Sequence, residues 1–165
     1  MSWIQAADPT RPPLEAVLSH RPELRDLYKR FYGGLWEESD VPRDLLELCR
    51  LRIAQLHACD AELAVRDGQS GVTDEQVAAL ERWRTSDLFT PGQQAALALA
   101  EKMPWEHHQI EDAEFNRLRE FLSEKEAVGL TLGMALFDAI CRLRLFFDVE
   151  PSPSTVAASS AGPLH

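Results

Sequence analysis

The residues able to do chemistry crowd into one stretch, Glu47-Leu-Cys-Arg-Leu-Arg-Ile-Ala-Gln-Leu-His-Ala-Cys59-Asp-Ala-Glu62-Leu-Ala-Val-Arg66. A cysteine acts as a nucleophile only as its thiolate, and its reactivity follows whatever lowers its pKa. Cys59 stands twelve residues after Glu47. On a continuous helix that separation is about 18 Å of rise and about 120° of rotation, so the two side chains would not meet within one subunit. A break near His57-Ala58 is required, and it would put Cys59 at the start of a new helix, where free N–H groups favour a thiolate. Asp60 and Glu62 act in the opposite sense, because adjacent carboxylates disfavour another anion. His57, two residues before Cys59, is placed either to perturb the thiol or to serve as a structural histidine.

Each of these residues also has a plainer reading. Leu46, Cys49, Ile53 and Leu56 form an apolar stripe, and Glu47 sits at helical spacing from Arg43 and Arg50, as in a solvated ion pair. Glu62 and Arg66, at i and i+4 in the favoured order, can satisfy one another as a surface salt bridge. Cys49 and Cys141 fall inside apolar stripes and read as inert buried thiols. His107 and His108 are adjacent, but two histidines without a third ligand at the right spacing make a poor metal site, and no metal is expected. The sequence has no glycine-rich phosphate loop, no Ser-His-Asp signature and no haem or flavin motif, so no cofactor is expected either.

The elements that must position these residues are helical. Asp40-Val41-Pro42 joins a capping side chain to a proline suited to a first turn. Thr73 to Gln76, Thr90 to Gln93 and Ser123 to Glu126 are capping boxes, each with an apolar periodic run behind it. No stretch alternates apolar and polar for long enough to specify a strand. The spacing predicts helices over 13–19, 22–36 ending near Gly33-Gly34, 41–57, 59–68, 74–84, 91–103, 112–122 and 124–147. The fold class is therefore all-α. The last helix is apolar nearly all round, so it either runs through the centre of the domain or is partly covered by another subunit, and Gly129 and Gly133 allow a close helix approach on one side.

The chain has 165 residues, 45% hydrophobic and 27% charged, which suits one domain over 1–149 with enough core to need no staple. Residues 150–165, small, polar and proline-containing, read as a disordered tail. A net charge of -10 argues against nucleic acid and against an acidic membrane surface. The longest apolar stretch, Ala127 to Phe147, is interrupted by Asp138, Arg142 and Arg144 and falls short of the roughly 20 apolar residues of a membrane span. With no secretion signal at the N-terminus and an odd count of three cysteines, a cytoplasmic location is expected.

At these residues the chain resembles the carboxymuconolactone decarboxylase and alkylhydroperoxidase D (AhpD-like) family. The family pattern is a glutamate, a Leu-Arg-Val-Ala-Gln-Leu-like run, then Cys-x-x-Cys-x-x-x-His. LRIAQLHAC matches it, with Glu47 at the glutamate and Cys59 at the first cysteine, and the likeness continues in the ALALAEKM run ending at Met103, around His108 to Leu118 and in ALFDAICRL of the last helix. It spans roughly residues 14 to 149. The resemblance implies an all-helical fold of about six to eight helices, assembly as a homo-oligomer (trimer or hexamer), and two cysteines that cycle between dithiol and disulfide as they reduce peroxides, with the glutamate and histidine relaying protons. Here Glu62 occupies the second cysteine position and Arg66 the histidine position, so a Cys-x-x-Cys disulfide cannot form. The implied activity is peroxide reduction at Cys59 alone, with Glu47 as proton partner and an external thiol as reductant. The alternatives are a lyase or hydrolase acting on a small lactone-like carboxylate held by Arg66, Arg50, Arg52 or Arg142, and a non-catalytic binding or assembly module.

Overall fold

A computed structural model describes residues 3–149; the expected tail lies outside them. Among the described residues the chain is all-helical, in the order α1 (Pro13–Leu18), α2 (Pro22–Glu38), α3 (Arg43–Leu56), α4 (Asp60–Leu63), α5 (Asp74–Ala79) with a 3-10 turn over Leu80–Thr85, α6 (Pro91–Lys102), a 3-10 turn over His107–Gln109, α7 (Asp112–Arg119) and α8 (Glu124–Phe146). The three predicted capping boxes all form, and a fourth, Glu111 with Glu114, opens α7. Its carboxylate cap stands where a hydroxyl is more usual.

The helix through the centre is α3. It packs against α8 on one side and α6 on the other, and both of its faces are apolar. Leu46, Cys49, Ile53 and Ala54 enter the main core with Trp36, Leu130, Met134 and Phe137. Leu48 and Leu51 enter a second cluster with Leu80, Trp83, Phe89 and Leu97. The last helix keeps a side open within the single chain, with Val128, Leu132, Leu145 and Phe146 exposed. On its inner side the two glycines do permit close approach. A Cβ on Gly129 would lie 2.8 Å from a methyl of Val41, and one on Gly133 would lie 3.1 Å from Leu46.

Two predicted boundaries move for physical reasons. Helix α2 passes through Gly33-Gly34 to Glu38, because Tyr32, Leu35 and Trp36 on either side of the glycines bury one continuous face. That burial outweighs the roughly 1 kcal/mol that each helical glycine costs. The chain turns at Asp40 instead, with φ of 59°. The predicted helix over 59–68 shrinks to the single turn of α4. Its next carbonyls and amides are taken by α3: Arg50 donates to the carbonyls of Glu62 (2.8 Å) and Val65 (2.6 Å), and Glu47 accepts from the amide of Asp67 (3.0 Å).

Gly34 of α2 and Gly129 of α8 offer a direct comparison. Gly34→Ala meets nothing within 4 Å and should gain up to about 1 kcal/mol of helix propensity. Gly129→Ala should lose stability despite the same propensity gain, and Val41→Ala in the same chain should recover part of the loss. Urea denaturation midpoints of the three variants check this.

Candidate functional site

The break that Cys59 needs is a Schellman turn at the end of α3. The amide of Ala58 bonds the carbonyl of Gln55 and the amide of Cys59 bonds that of Ala54 (3.0 and 2.9 Å), with Ala58 left-handed at φ of 50°. Glycine usually fills that position, and alanine there costs about 1 kcal/mol. The end of α8 has the same form: the amide of Asp148, at φ of 52°, bonds the carbonyl of Leu145, and that of Val149 bonds Arg144. The two turns face each other. Between them lies a cavity of about 200 Å³ lined by Ala58, Cys59, Asp60, Ala61, Arg144, Leu145, Asp148 and Val149.

Cys59 is 1% exposed and faces this cavity. Its thiol pKa is lowered, first by a hydrogen bond from the Cys141 thiol on α8, against burial, with the Glu62 amide assisting; the Glu62 carboxylate opposes and Arg144 favours the anion. The one-turn α4 is too short for the helix-start effect to dominate, so the expected stabilisation at Cys59 comes chiefly from a neighbouring thiol. Cys141 is correspondingly raised far above the ordinary thiol range, first by that hydrogen bond and then by burial. Its apolar stripe conceals a partner. Cys49 has none of this and is pushed up by burial alone save for a small contribution from Asp44.

Glu47 is fully buried, so the solvated ion pair is not what forms. Arg50, 1% exposed, donates Nε to Glu47 Oε2 (2.8 Å) and Nη2 to Oε1 (3.0 Å), and Nη1 to Glu62 Oε2 (3.1 Å). With its two backbone carbonyls, the guanidinium has a partner in every direction it points. Burial opposes its charge, but Glu47 and Glu62 more than compensate and hold it above its ordinary pKa. Glu62 then accepts from Arg144 Nε at 2.5 Å. The expected Glu62–Arg66 pair is replaced by these bonds. Arg66 turns instead to Glu47 (3.6 Å), Asp74 (3.1 Å) and the Val72 carbonyl (3.0 Å).

Among the described residues, the hydrogen bonds of Glu47 go to Arg50 and Asp67 and not to Cys59; the carboxylate beside Cys59 is that of Glu62. His57 is not among the residues lining the cavity. Its Nε2 is 2.7 Å from Asp138 Oδ1, which Arg142 also holds, and its ring packs on Trp105 at 4.7 Å between centroids. His107 and His108 stack edge to face, and no group of three His, Cys, Asp or Glu among the described residues is arranged to hold a metal ion. The site members missed by sequence reasoning are Arg144 and Cys141. A signal existed in their spacing: Cys141 and Arg144 are i,i+3 on α8, as Cys59 and Glu62 are on α4.

Residues 22–102 match the model of the carboxymuconolactone decarboxylase family. The chain belongs to that family. A protein of Bacillus subtilis, the uncharacterized YdfG, is 27% identical over 100 residues, covering 58% of this chain and 68% of its own. Among solved structures, a protein of unknown function from Agrobacterium tumefaciens, described as a candidate antioxidant defence protein AhpD, superposes with a TM-score of 0.74 at 18% identity over 82% of this chain and 94% of its own. A peroxidase-related protein of Silicibacter sp. TM1040 gives 0.77 at 16% identity, over 88% and 78%. The debrominase Bmp8 gives 0.70 at 20% identity, over 90% and 81%. At these identities the superpositions establish an AhpD-like fold. No helix among the described residues is long and apolar enough to cross a membrane.

Removing one partner from a buried charge network leaves the others uncompensated, so Arg50→Ala should cost about 3–5 kcal/mol of unfolding free energy. Arg117→Ala, which breaks an exposed pair with Glu120, should cost less than about 1 kcal/mol. Ala58→Gly should raise stability by about 1 kcal/mol. Guanidinium unfolding of the three variants checks the order.

Proposed function

We propose that this protein is a thiol-dependent oxidoreductase that reduces hydroperoxides at Cys59. The observation that carries the reading is the combination at one atom: the Cys59 sulfur faces a cavity sized for a small molecule, and its surroundings favour the thiolate. In the reaction the thiolate attacks the outer oxygen of a hydroperoxide, the O–O bond breaks, and the alcohol leaves with a proton from solvent while the sulfur becomes a sulfenic acid. An external thiol restores it.

Glu62 has the place beside Cys59 that the sequence suggested for Glu47, and with two arginine partners it acts as a fixed charge. Glu47 is a positioning residue, acting through Arg50 on Glu62. Family membership and the peroxidase-related and antioxidant descriptions of similar folds support the reading. The debrominase among them, solved also as a cysteine-to-alanine variant with 2,3,4-tribromopyrrole, favours a second substrate class for the same thiol, halogenated aromatic rings. A lactone lyase using Arg66, Arg50 or Arg52 has less support, since those guanidinium groups are committed to carboxylates.

The reading includes a homo-oligomer. Leu24, Leu27, Phe31, Val128 and Leu132 are each about half exposed on α2 and α8, and six of the groove residues between these helices are apolar or glycine, a surface larger than scattered exposed side chains account for.

Reduced wild type given a slight excess of cumene hydroperoxide should consume it and oxidise at Cys59, and Cys59→Ser should reduce consumption to the background of Cys49 and Cys141. Equal rates in both proteins would remove the peroxidase reading; consumption of 2,3,4-tribromopyrrole by the wild type alone would replace it with the dehalogenase one. The pH midpoint for alkylation of Cys59 should fall below the ordinary thiol value of about 8.5. For the assembly, Leu132→Glu should lower the mass found by sedimentation equilibrium to that of one chain.

A further inference from the structure

A one-cysteine mechanism uses Cys141 only as a hydrogen-bond donor to the reacting sulfur and leaves its own thiol chemistry unused. Both cysteines are 1% exposed and belong to the same core cluster. A neighbouring ion pair links the same two segments. Arg144 reaches Glu62 across 82 residues of sequence at 2.5 Å, and Cys141 stands at the same separation from Cys59, one turn earlier on each helix. The ion pair thus holds α8 against α4 at the level of the two thiols. Cys49, the third free cysteine, lies in the same core but is not part of this register.

We propose that Cys141 is the resolving cysteine of this protein, closing a Cys59–Cys141 disulfide between the α3–α4 turn and α8 in place of the Cys-x-x-Cys disulfide that Glu62 precludes. The inference rests on the peroxide chemistry proposed for Cys59 and adds its second half. In the first step Cys59 takes one oxygen from the hydroperoxide and is oxidised by two electrons. Once Cys59 is a sulfenic acid, it no longer accepts a hydrogen bond as a thiolate, and the Cys141 sulfur is freed to attack it. The S–S bond forms and the S–O bond breaks; hydroxide leaves and takes the Cys141 proton, giving water. The sum is two thiols and one hydroperoxide converted to one disulfide, one alcohol and one water. A dithiol reductant returns two electrons and two protons by exchange at the sulfur facing the cavity, that of Cys59.

Geometry favours this over a long-lived sulfenic acid. A buried sulfur in contact with a second thiol is resolved from within faster than by a bulky thiol from outside, because the partner is already at high effective concentration. The bond would also tie two distant segments and should change the protein's stability on oxidation.

The test compares wild type with Cys141→Ala and Cys141→Ser, each reduced and treated with one equivalent of cumene hydroperoxide. The alkylated thiols are counted by intact mass, and the cross-linked peptide is sought after digestion. Wild type should lose two of its three alkylatable thiols and 2 Da and yield a Cys59–Cys141 peptide, with no sulfenic acid trapped by dimedone. Both variants should instead gain 16 Da at Cys59 and label with dimedone. A wild type in which Cys59 is oxidised while Cys141 remains alkylatable overturns the inference and leaves the one-cysteine peroxidase intact. Should Cys59 fail to react with peroxide, the same wild-type protein treated with diamide, a direct thiol oxidant, separates the two ideas. A Cys59–Cys141 bond would then keep the pairing and discard peroxide as the substrate, and its absence would discard both. The wild-type mapping needs no variant to fold.

Discussion

The structure is organised around a guanidinium with no access to water. Arg50 sits in the middle of α3 between two hydrophobic clusters, and an isolated charge there would cost several kcal/mol. It is tolerated because Glu47, Glu62 and two backbone carbonyls surround it. Satisfying it dictates the path of the chain after Cys59. The carbonyls of Glu62 and Val65 must turn toward α3, so α4 stops after one turn and the segment to Asp67 runs back along Glu47. Glu62 is held by that constraint, and through Arg144 it holds the end of α8. The thiol chemistry thus inherits its geometry from an electrostatic requirement elsewhere.

Around Cys59 the opposing influences are unusually close together. The Glu62 carboxylate, present because Arg50 demands it, disfavours a thiolate three residues away in sequence. The Cys141 S–H and Arg144 restore the balance in favour of the anion. Neutral donor and cation both come from α8, so the reactivity of a residue on one helix end is set by the packing of another. This differs from a thiol activated by a long helix N-terminus, where the activating dipole and the cysteine share a single element.

What could be read in advance was local. The capping boxes at Thr73, Thr90 and Ser123 and the all-helical class follow from short-range hydrogen bonding that tertiary contacts did not disturb. The need for a break at His57-Ala58 was also legible, from the rise and rotation of a helix. Its form was not, because alanine at the left-handed position carries no glycine signal. The burial of Glu47 was hidden because an i,i+3 pair reads alike in solvent and in a core. Glu62 and Arg66 have the spacing of a pair, but each finds a better partner across the fold. Nor does periodicity tell which of two apolar helices is central: polar side chains are a larger share of α3 than of α8, yet Glu47 and Arg50 of α3 neutralise one another internally, whereas Glu124 and Lys125 of α8 reach the surface.

The two Schellman turns that wall the cavity join this network to the history of the site. Glu62 answers two arginines at once, Arg50 and Arg144. Changing it to cysteine would leave Arg144 without its carboxylate and Arg50 with Glu47 alone, and changing either arginine would leave Glu62, buried, with a single cation. The three residues can therefore be exchanged only together or through a weakened intermediate. A lineage that acquired this trio would be held to it by epistasis, and selection on redox chemistry would have been left to act on the other face of the cavity, along α8.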